Sequence, residues 1–506
     1  MNFKKNIFYL FLIVLLIISP GCHNNAGRLS NINFPGYRSV RVIHPDVLNR
    51  AAPVSSYPDS CQADLIKNRR VNGYRGIWFE LKQVYEYGDK YSGGLGTYTA
   101  KHVPLAIYAP EVRKTFFVYG GTTGAYERHL LCMIGEYDHR NGKVSRPVIV
   151  CDKQGVNDPH DNPSLLIDDN GYLWVFVSGR GSRRPGFKFR SCEPYNTDSF
   201  IQITEEEMTY PQPWKTNSGF FHFFTKYTGI RQLYFERSYD GIDWSDDQLL
   251  AAIAGREGER SGHYQTSACF NGQKLATFFN RHPDGAADKR TDLYYVETED
   301  MGETWKNAQG VHLQLPLIER DSPARVIDYE SQGKNIYVKD MAFTDKGFPV
   351  CLYIRSNGHE PGPGSAPYEW CVTRFDGESW LTSVVTESDH NYDMGSLFIS
   401  DDDWKITAPI VAGPQKWGVG GELQIWQSAD YGKNWDLQKD LTENSEFNHS
   451  YVRRPVDFKE PFCFFWADGN PHEFSKSQLY FGDFSGNVWR LPYEMKRKYE
   501  KPHKIK

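Results

Sequence analysis

The chain has 506 residues, of which 40% are hydrophobic, 15% aromatic and 24% charged. Fifty-eight Lys and Arg against 63 Asp and Glu give a formal net charge of -5, so no global basic field draws it to nucleic acid, and the aromatic content excludes disorder as the main state. Thirty-one Tyr, 31 Phe and 13 Trp beside 44 Gly and 28 Pro point to short strands joined by many turns, not to a helical bundle or coiled coil.

Residues 1–22 read as a targeting segment: Lys4 and Lys5, an apolar run from Ile7 to Ile18, then Ser19-Pro20-Gly21-Cys22. The run is too short to span a bilayer. It resembles a bacterial lipoprotein signal with Cys22 as the lipidated residue, although Ser19 stands where Leu is usual. That implies export and a lipid anchor, on the periplasmic side or the cell surface, as the only membrane contact. Residues 23–70 form a polar spacer and lead-in. Eight further cysteines carry no CxxC spacing and include buried-strand positions such as Cys351, so their pairing is left open.

From residue 71 to 495 the chain is repetitive. Ser238-Tyr239-Asp240-Gly241-Ile242-Asp243-Trp244, Thr298-Glu299-Asp300-Met301-Gly302-Glu303-Thr304-Trp305 and Ser428-Ala429-Asp430-Tyr431-Gly432-Lys433-Asn434-Trp435 share an S-x-D-x-G-x-T-W pattern, the Asp box. In such a hairpin the carboxylate accepts turn amides, Gly supplies a positive φ and Trp packs against the next blade. Weaker versions surround Trp174, Trp380 and Trp489. These six Trp residues are expected in equivalent hairpin positions, and residues 71–150 provide a seventh unit. The expected fold is all-β, a seven-bladed propeller of four-stranded antiparallel blades. Residues 496–506 read as a basic, solvated tail.

Turn chemistry does not explain four polar segments. They are Lys90–Tyr98 with Lys101-His102-Val103-Pro104; Asp158-Pro159-His160-Asp161-Asn162-Pro163 with Ser178–Pro185; Tyr210–Lys215 with Thr225–Arg231; and His390–Ser396 with Gly413-Pro414-Gln415 and Gly420-Gly421-Glu422. In a propeller such loops converge at the mouth of the channel. Tyr and Trp suit sugar faces and Arg suits a carboxylate or sulfate, so an anionic oligosaccharide is the expected partner. The sequence assigns no oligomeric state.

With Asn280-Arg281-His282-Pro283, Arg290–Tyr295 and Tyr451-Val452-Arg453-Arg454-Pro455, these segments resemble the BNR-4 propellers, which include ulvan lyases, rhamnosyl-glucuronate lyases and an α-L-rhamnosidase-like group. The resemblance implies a carbon-oxygen lyase eliminating across carbons 4 and 5 of a uronate in ulvan-type oligosaccharides, by glycosidic cleavage or by dehydration of a terminal sugar. It implies His160, Tyr264 and Lys215 as catalytic residues, and Arg180, Arg231, Arg290, Tyr392 and Arg453 as substrate-binding residues. The pattern is broken twice: Arg180 stands where a second His is usual, and Lys215 where a Tyr follows the PQPW segment. Arginine stays protonated and cannot act as a base, and lysine can do so only with a depressed pKa. The alternatives are a rhamnosidase-like hydrolase using His102 and a glycan-binding lipoprotein without activity. No nucleotide or metal motif is present, so neither cofactor nor metal is assigned.

Overall fold

The structure is a computed structural model that describes residues 67–255 and 257–506. The signal segment with Cys22, and the spacer up to residue 66, lie outside the described residues. Among these residues there is no α-helix, only strands and three short 3-10 turns at Pro159–Asp161, Pro283–Gly285 and Pro363–Ser365.

Seven antiparallel sheets follow one another along the chain. Blade 1 is built from Ala106–Ala109, Lys114–Gly121 and Leu131–Asp138, with the broken outer strand Lys143–Ser145 and Val148–Asp152. Blade 2 is Pro163–Ile167, Leu173–Val177, Gly186–Ser191 and Phe200–Glu206, and blade 3 is Thr209–Thr216, Gly219–Lys226, Gln232–Ser238 and Gln248–Ala251. Blade 4 is Gln265–Phe270, Lys274–Arg281, Thr291–Thr298 and Arg325–Ile327, with a small extra hairpin at Trp305–Lys306 and His312–Leu313. Blade 5 is Asn335–Phe343, Pro349–Ser356, Tyr368–Phe375 and Trp380–Ser388. Blade 6 is Ser396–Ser400, Asp403–Ala412, Gly421–Ser428 and Asp436–Asp440, and blade 7 is Asn448–Arg453, Phe464–Gly469, Leu479–Gly482 and Val488–Arg490. Strands alternate in direction, so the loop entering each blade and the loop between its second and third strands share one face. The turns between strands one and two and between three and four share the other.

Aromatic side chains fill the gaps between blades. Trp305 packs on Phe221, Phe223 and Phe235 of blade 3, and Trp380 on Phe278 and Tyr295 of blade 4. Trp244 meets Phe176 and the Lys188 ammonium of blade 2, 3.6 Å from its ring centroid. The Asp-box Trp therefore covers the preceding blade, not the next. The local turn chemistry is as expected: Asp240 Oδ1 accepts the N–H groups of Ile242 and Asp243 at 2.8 and 3.0 Å, and Asp430 Oδ1 those of Lys433 and Asn434 at 3.0 and 2.9 Å.

Five of the six marker Trp residues lie in or just after the turn between strands three and four. Trp174 does not. It follows the turn between strands one and two of blade 2, donates its Nε1–H to Asp168 at 2.9 Å and packs edge-on to Phe220 of blade 3. Asp168 makes the same kind of amide-accepting turn there, from Asn170 and Tyr172, which is why the sequence pattern looks alike.

Blades 1 and 7 meet through Phe117 against Phe462 and Phe465, and through a parallel bridge in which Tyr108 N–H donates to Val456 O at 3.0 Å. The basic tail keeps most of its side chains exposed, and its backbone is also paired. Tyr499 and Glu500 pair with Ser145 and Val144 of blade 1, while His503 and Lys504 pair with Arg490 and Trp489 of blade 7. Among the described residues Cys132, Cys151, Cys269, Cys351, Cys371 and Cys463 are free thiols.

Candidate active site

Residues from the loops on one face, and from the lead-in that precedes blade 1, come together near the channel. His160 sits in the Pro159–Asp161 turn, whose first N–H group is capped by Asp158. The same carboxylate takes the imidazole: His160 Nδ1 lies 2.5 Å from Asp158 Oδ1, while Arg180 and Arg184 donate to Oδ2 at 2.6 and 2.9 Å. Burial alone would raise the Asp158 pKa, but His160 and the two guanidiniums hold it far below the usual carboxylate range. With Nδ1–H directed at an anion, the lone pair is on Nε2. It faces the Tyr98 hydroxyl at 3.0 Å, and Tyr98 in turn lies 3.3 Å from the Tyr392 hydroxyl. Burial pushes His160 down to about 4 against the opposing pull of Asp158, so the imidazole is neutral at pH 7.

Arg231 donates to the Tyr264 hydroxyl, and to that of Tyr227 at 3.0 Å, where Arg180 Nε also donates at 2.9 Å. The Arg290 guanidinium lies 4.1 Å from the Tyr264 ring centroid and 5.2 Å from that of Tyr392, and reaches the Tyr91 hydroxyl at 3.2 Å. Tyr210 closes the group, 5.6 Å from Tyr264 and 5.8 Å from His160 between ring centroids. Most of these side chains are nearly enclosed, Tyr264 being 6% and Arg290 2% exposed; Arg180 and Tyr227 at the rim are half-buried.

The floor beneath carries three buried lysines, whose pKa values burial lowers. Lys101 and Lys339 are buried and donate to the carbonyls of Val338 and Asn391 at 2.9 and 2.8 Å. Lys90 donates to the Tyr337 hydroxyl at 3.1 Å, and burial lowers its pKa to about 7. Several polar atoms there have no partner among the described residues: Arg231 Nε, both ring nitrogens of His282 and the Tyr451 hydroxyl. A ligand carrying negative charge and hydroxyl groups satisfies donors of this kind.

His160, Arg180, Arg231, Tyr264, Arg290 and Tyr392 thus share one cluster although they span 233 positions. Lys215 is elsewhere. It lies five residues beyond Tyr210 on the same strand, about 17 Å away at ~3.4 Å per residue, on the Asp-box face, where it pairs with Asp169 at 2.7 Å. Arg453 is buried and spends its guanidinium on the carbonyls of Thr99 and His102, holding the lead-in in place. His102 accepts from Thr99 N–H through Nδ1 at 3.1 Å and faces the His160 carbonyl through Nε2 at 3.1 Å. Both of its nitrogens serve the backbone, which leaves none for a reacting group. Tyr98, Tyr210, Tyr227 and Asp158 received no role from sequence reasoning, although each lies inside a segment that it marked.

One carboxylate group has metal-like spacing among the described residues, Glu206, Glu236 and Asp247. The Lys188 ammonium already sits there, 2.8 Å from Glu206 and 2.7 Å from Glu236.

A seven-bladed Asp-box propeller with this loop-face cluster defines the class, and the chain belongs to the BNR repeat-containing family, whose profile matches residues 118–388. Among curated proteins it is similar to the ulvan lyase of Alteromonas sp. (strain LOR), 21% identical over 289 residues, which cover 50% of this chain and 56% of that one. It is also similar to the ulvan lyase of Nonlabens ulvanivorans, 22% identical over 332 residues, 57% of this chain and 67% of the relative. The match therefore spans little more than half the length of the first relative. In fold it is similar to a PL25 ulvan lyase, with a TM-score of 0.64 at 16% identity over 82% of this chain and 96% of that one; that lyase has also been solved with -[GlcA(1-4)Rha3S]- bound.

Proposed function

We propose that the protein is a carbon-oxygen lyase acting by β-elimination on ulvan-type anionic oligosaccharides. The observation that carries this reading is the chain Asp158–His160–Tyr98–Tyr392, joined through Tyr210 to the Arg231–Tyr264 pair and through Tyr392 to Arg290. The two guanidiniums neutralise the uronate carboxylate, so the neighbouring C5–H becomes acidic. The Tyr98 oxygen takes the C5 proton as its own proton passes to His160 Nε2 in the same step, so a free tyrosinate, which burial disfavours, never forms; the released electron pair forms the C4=C5 bond as the C4–O bond breaks. Tyr264, whose oxygen already accepts from Arg231, directs its O–H outward and protonates the departing oxygen. The names of the two relatives support the substrate class.

A hydrolase of the two-carboxylate type fits less well. The carboxylates bordering the cluster are engaged, Asp158 by His160 and two arginines, and Asp288 by the hydroxyls of Tyr85 and Tyr91. We also propose export with lipidation at Cys22, supported by the basic start, apolar run and Cys of the first 22 residues.

Incubation with ulvan oligosaccharides tests the function. Elimination yields an unsaturated uronate absorbing in the ultraviolet; loss of a sugar marks glycosidic cleavage, and loss of water marks dehydration. A saturated product carrying oxygen from labelled water, or no product at all, overturns the reading.

A further inference from the structure

A second feature lies just outside the cluster. A groove of about 640 Å³ runs along the blade 1–blade 2 boundary, lined by Lys153, Gln154, Asn157, Arg183, Arg184, Phe187 and Gln202, among others. That volume is in the range that accommodates one or a few sugar rings. It adjoins the active-site cluster through Arg184, which lines the groove and donates to Asp158 Oδ2 at 2.9 Å. The cluster opens on the same side, since its half-buried members Arg180 and Tyr227 stand beside the 180–184 turn.

The charge here is unbalanced. Arg180, Arg184 and Lys153 surround two carboxylates, Asp158 and Asp161, with contacts of 2.5–2.9 Å. Arg183 adds a fourth cation, exposed and without a partner among the described residues. Asp152, at the edge, is taken by His129 at 2.6 Å. Arg184 Nε is buried and also unpartnered. The side-chain amides of Gln154, Asn157 and Gln202 are exposed and likewise unpartnered, and Phe187 supplies an apolar face. One free guanidinium, three amides and one aromatic ring match a sugar that carries one anionic group.

We propose that this groove is a subsite for a second anionic sugar unit of the same chain, held through its sulfate ester or carboxylate by the exposed Arg183 guanidinium while the neighbouring uronate occupies the cluster. The inference rests on the proposed substrate class and extends it: the protein recognises at least two charged units and prefers longer fragments.

The test compares Arg183→Glu, and separately Gln202→Ala, with the unaltered chain on a sulfated ulvan tetrasaccharide, its desulfated form and a disaccharide. Binding is measured by calorimetry in a His160→Ala background, and KM and kcat without it. Arg183→Glu is expected to weaken tetrasaccharide binding about tenfold, the scale of one charge-assisted contact, and to raise KM for it while leaving kcat and the disaccharide constants unchanged. Loss confined to the sulfated form assigns the contact to sulfate, and loss with both forms assigns it to the carboxylate. Equal affinity for the tetrasaccharide and disaccharide, unaffected by either variant, overturns the subsite. Absence of turnover with binding and its Arg183 dependence intact removes the lyase reading and leaves the subsite standing.

Discussion

His160 works by what its neighbours take away. Asp158 fixes the Nδ1 proton, His102 holds the main-chain carbonyl, and burial keeps the ring neutral well below pH 6. As a base it is competent when unprotonated, so kcat/KM falls on the acid side only as pH drops through about 4, well below the ordinary histidine value. Tyr98→Phe removes the oxygen that takes the C5 proton and is expected to lower kcat by about a hundredfold or more, with oligosaccharide binding retained. A role confined to packing would leave kcat within about tenfold of the unaltered chain. His160→Ala is expected to cost about a hundredfold or more, whereas Lys215→Ala, on the far face, leaves kcat unaltered.

The turn between the third and fourth strands is the element that sets blade spacing. Gly241 has φ +77, and a Cβ there would stand 2.6 Å from the Trp174 ring of blade 2. Gly241→Ala therefore combines backbone strain with overpacking and is expected to cost about 1–3 kcal/mol. Urea unfolding measures that loss, and kcat of the folded fraction stays the same. These turns were legible because their physics is local: Asp, Gly and Trp within seven residues specify the hairpin. The same locality misplaced Trp174, since an Asp-Asn-Gly turn accepts amides at either end of a blade. Lys215 was misplaced because nothing in the PQPW spacing says that the strand carries it to the opposite face. Tyr98 went without a role because its partner His160 is 62 positions away, and no period links the lead-in to blade 2.

Across the whole molecule, one seam holds the ring shut without a covalent link. Phe117, Phe462 and Phe465 form its core, and the tail laces its outside by adding a strand to each neighbour. Arg146 reinforces it by donating to the carbonyls of Met495, Lys496 and Arg497. Removing residues 496–506 is expected to lower the melting temperature and to expose blade 1 to proteolysis before the other blades, with kcat of intact molecules preserved. Limited digestion followed by mass spectrometry reads this directly. Tyr91 and Tyr98 belong to neither side of the seam: they arrive on a strap laid across the finished ring, and Arg453 and Asn162 grip its carbonyls. Because the strap carries Tyr98 and packs its glycines against the backbones of blades 1 and 7, the proton relay is registered to the ring closure itself.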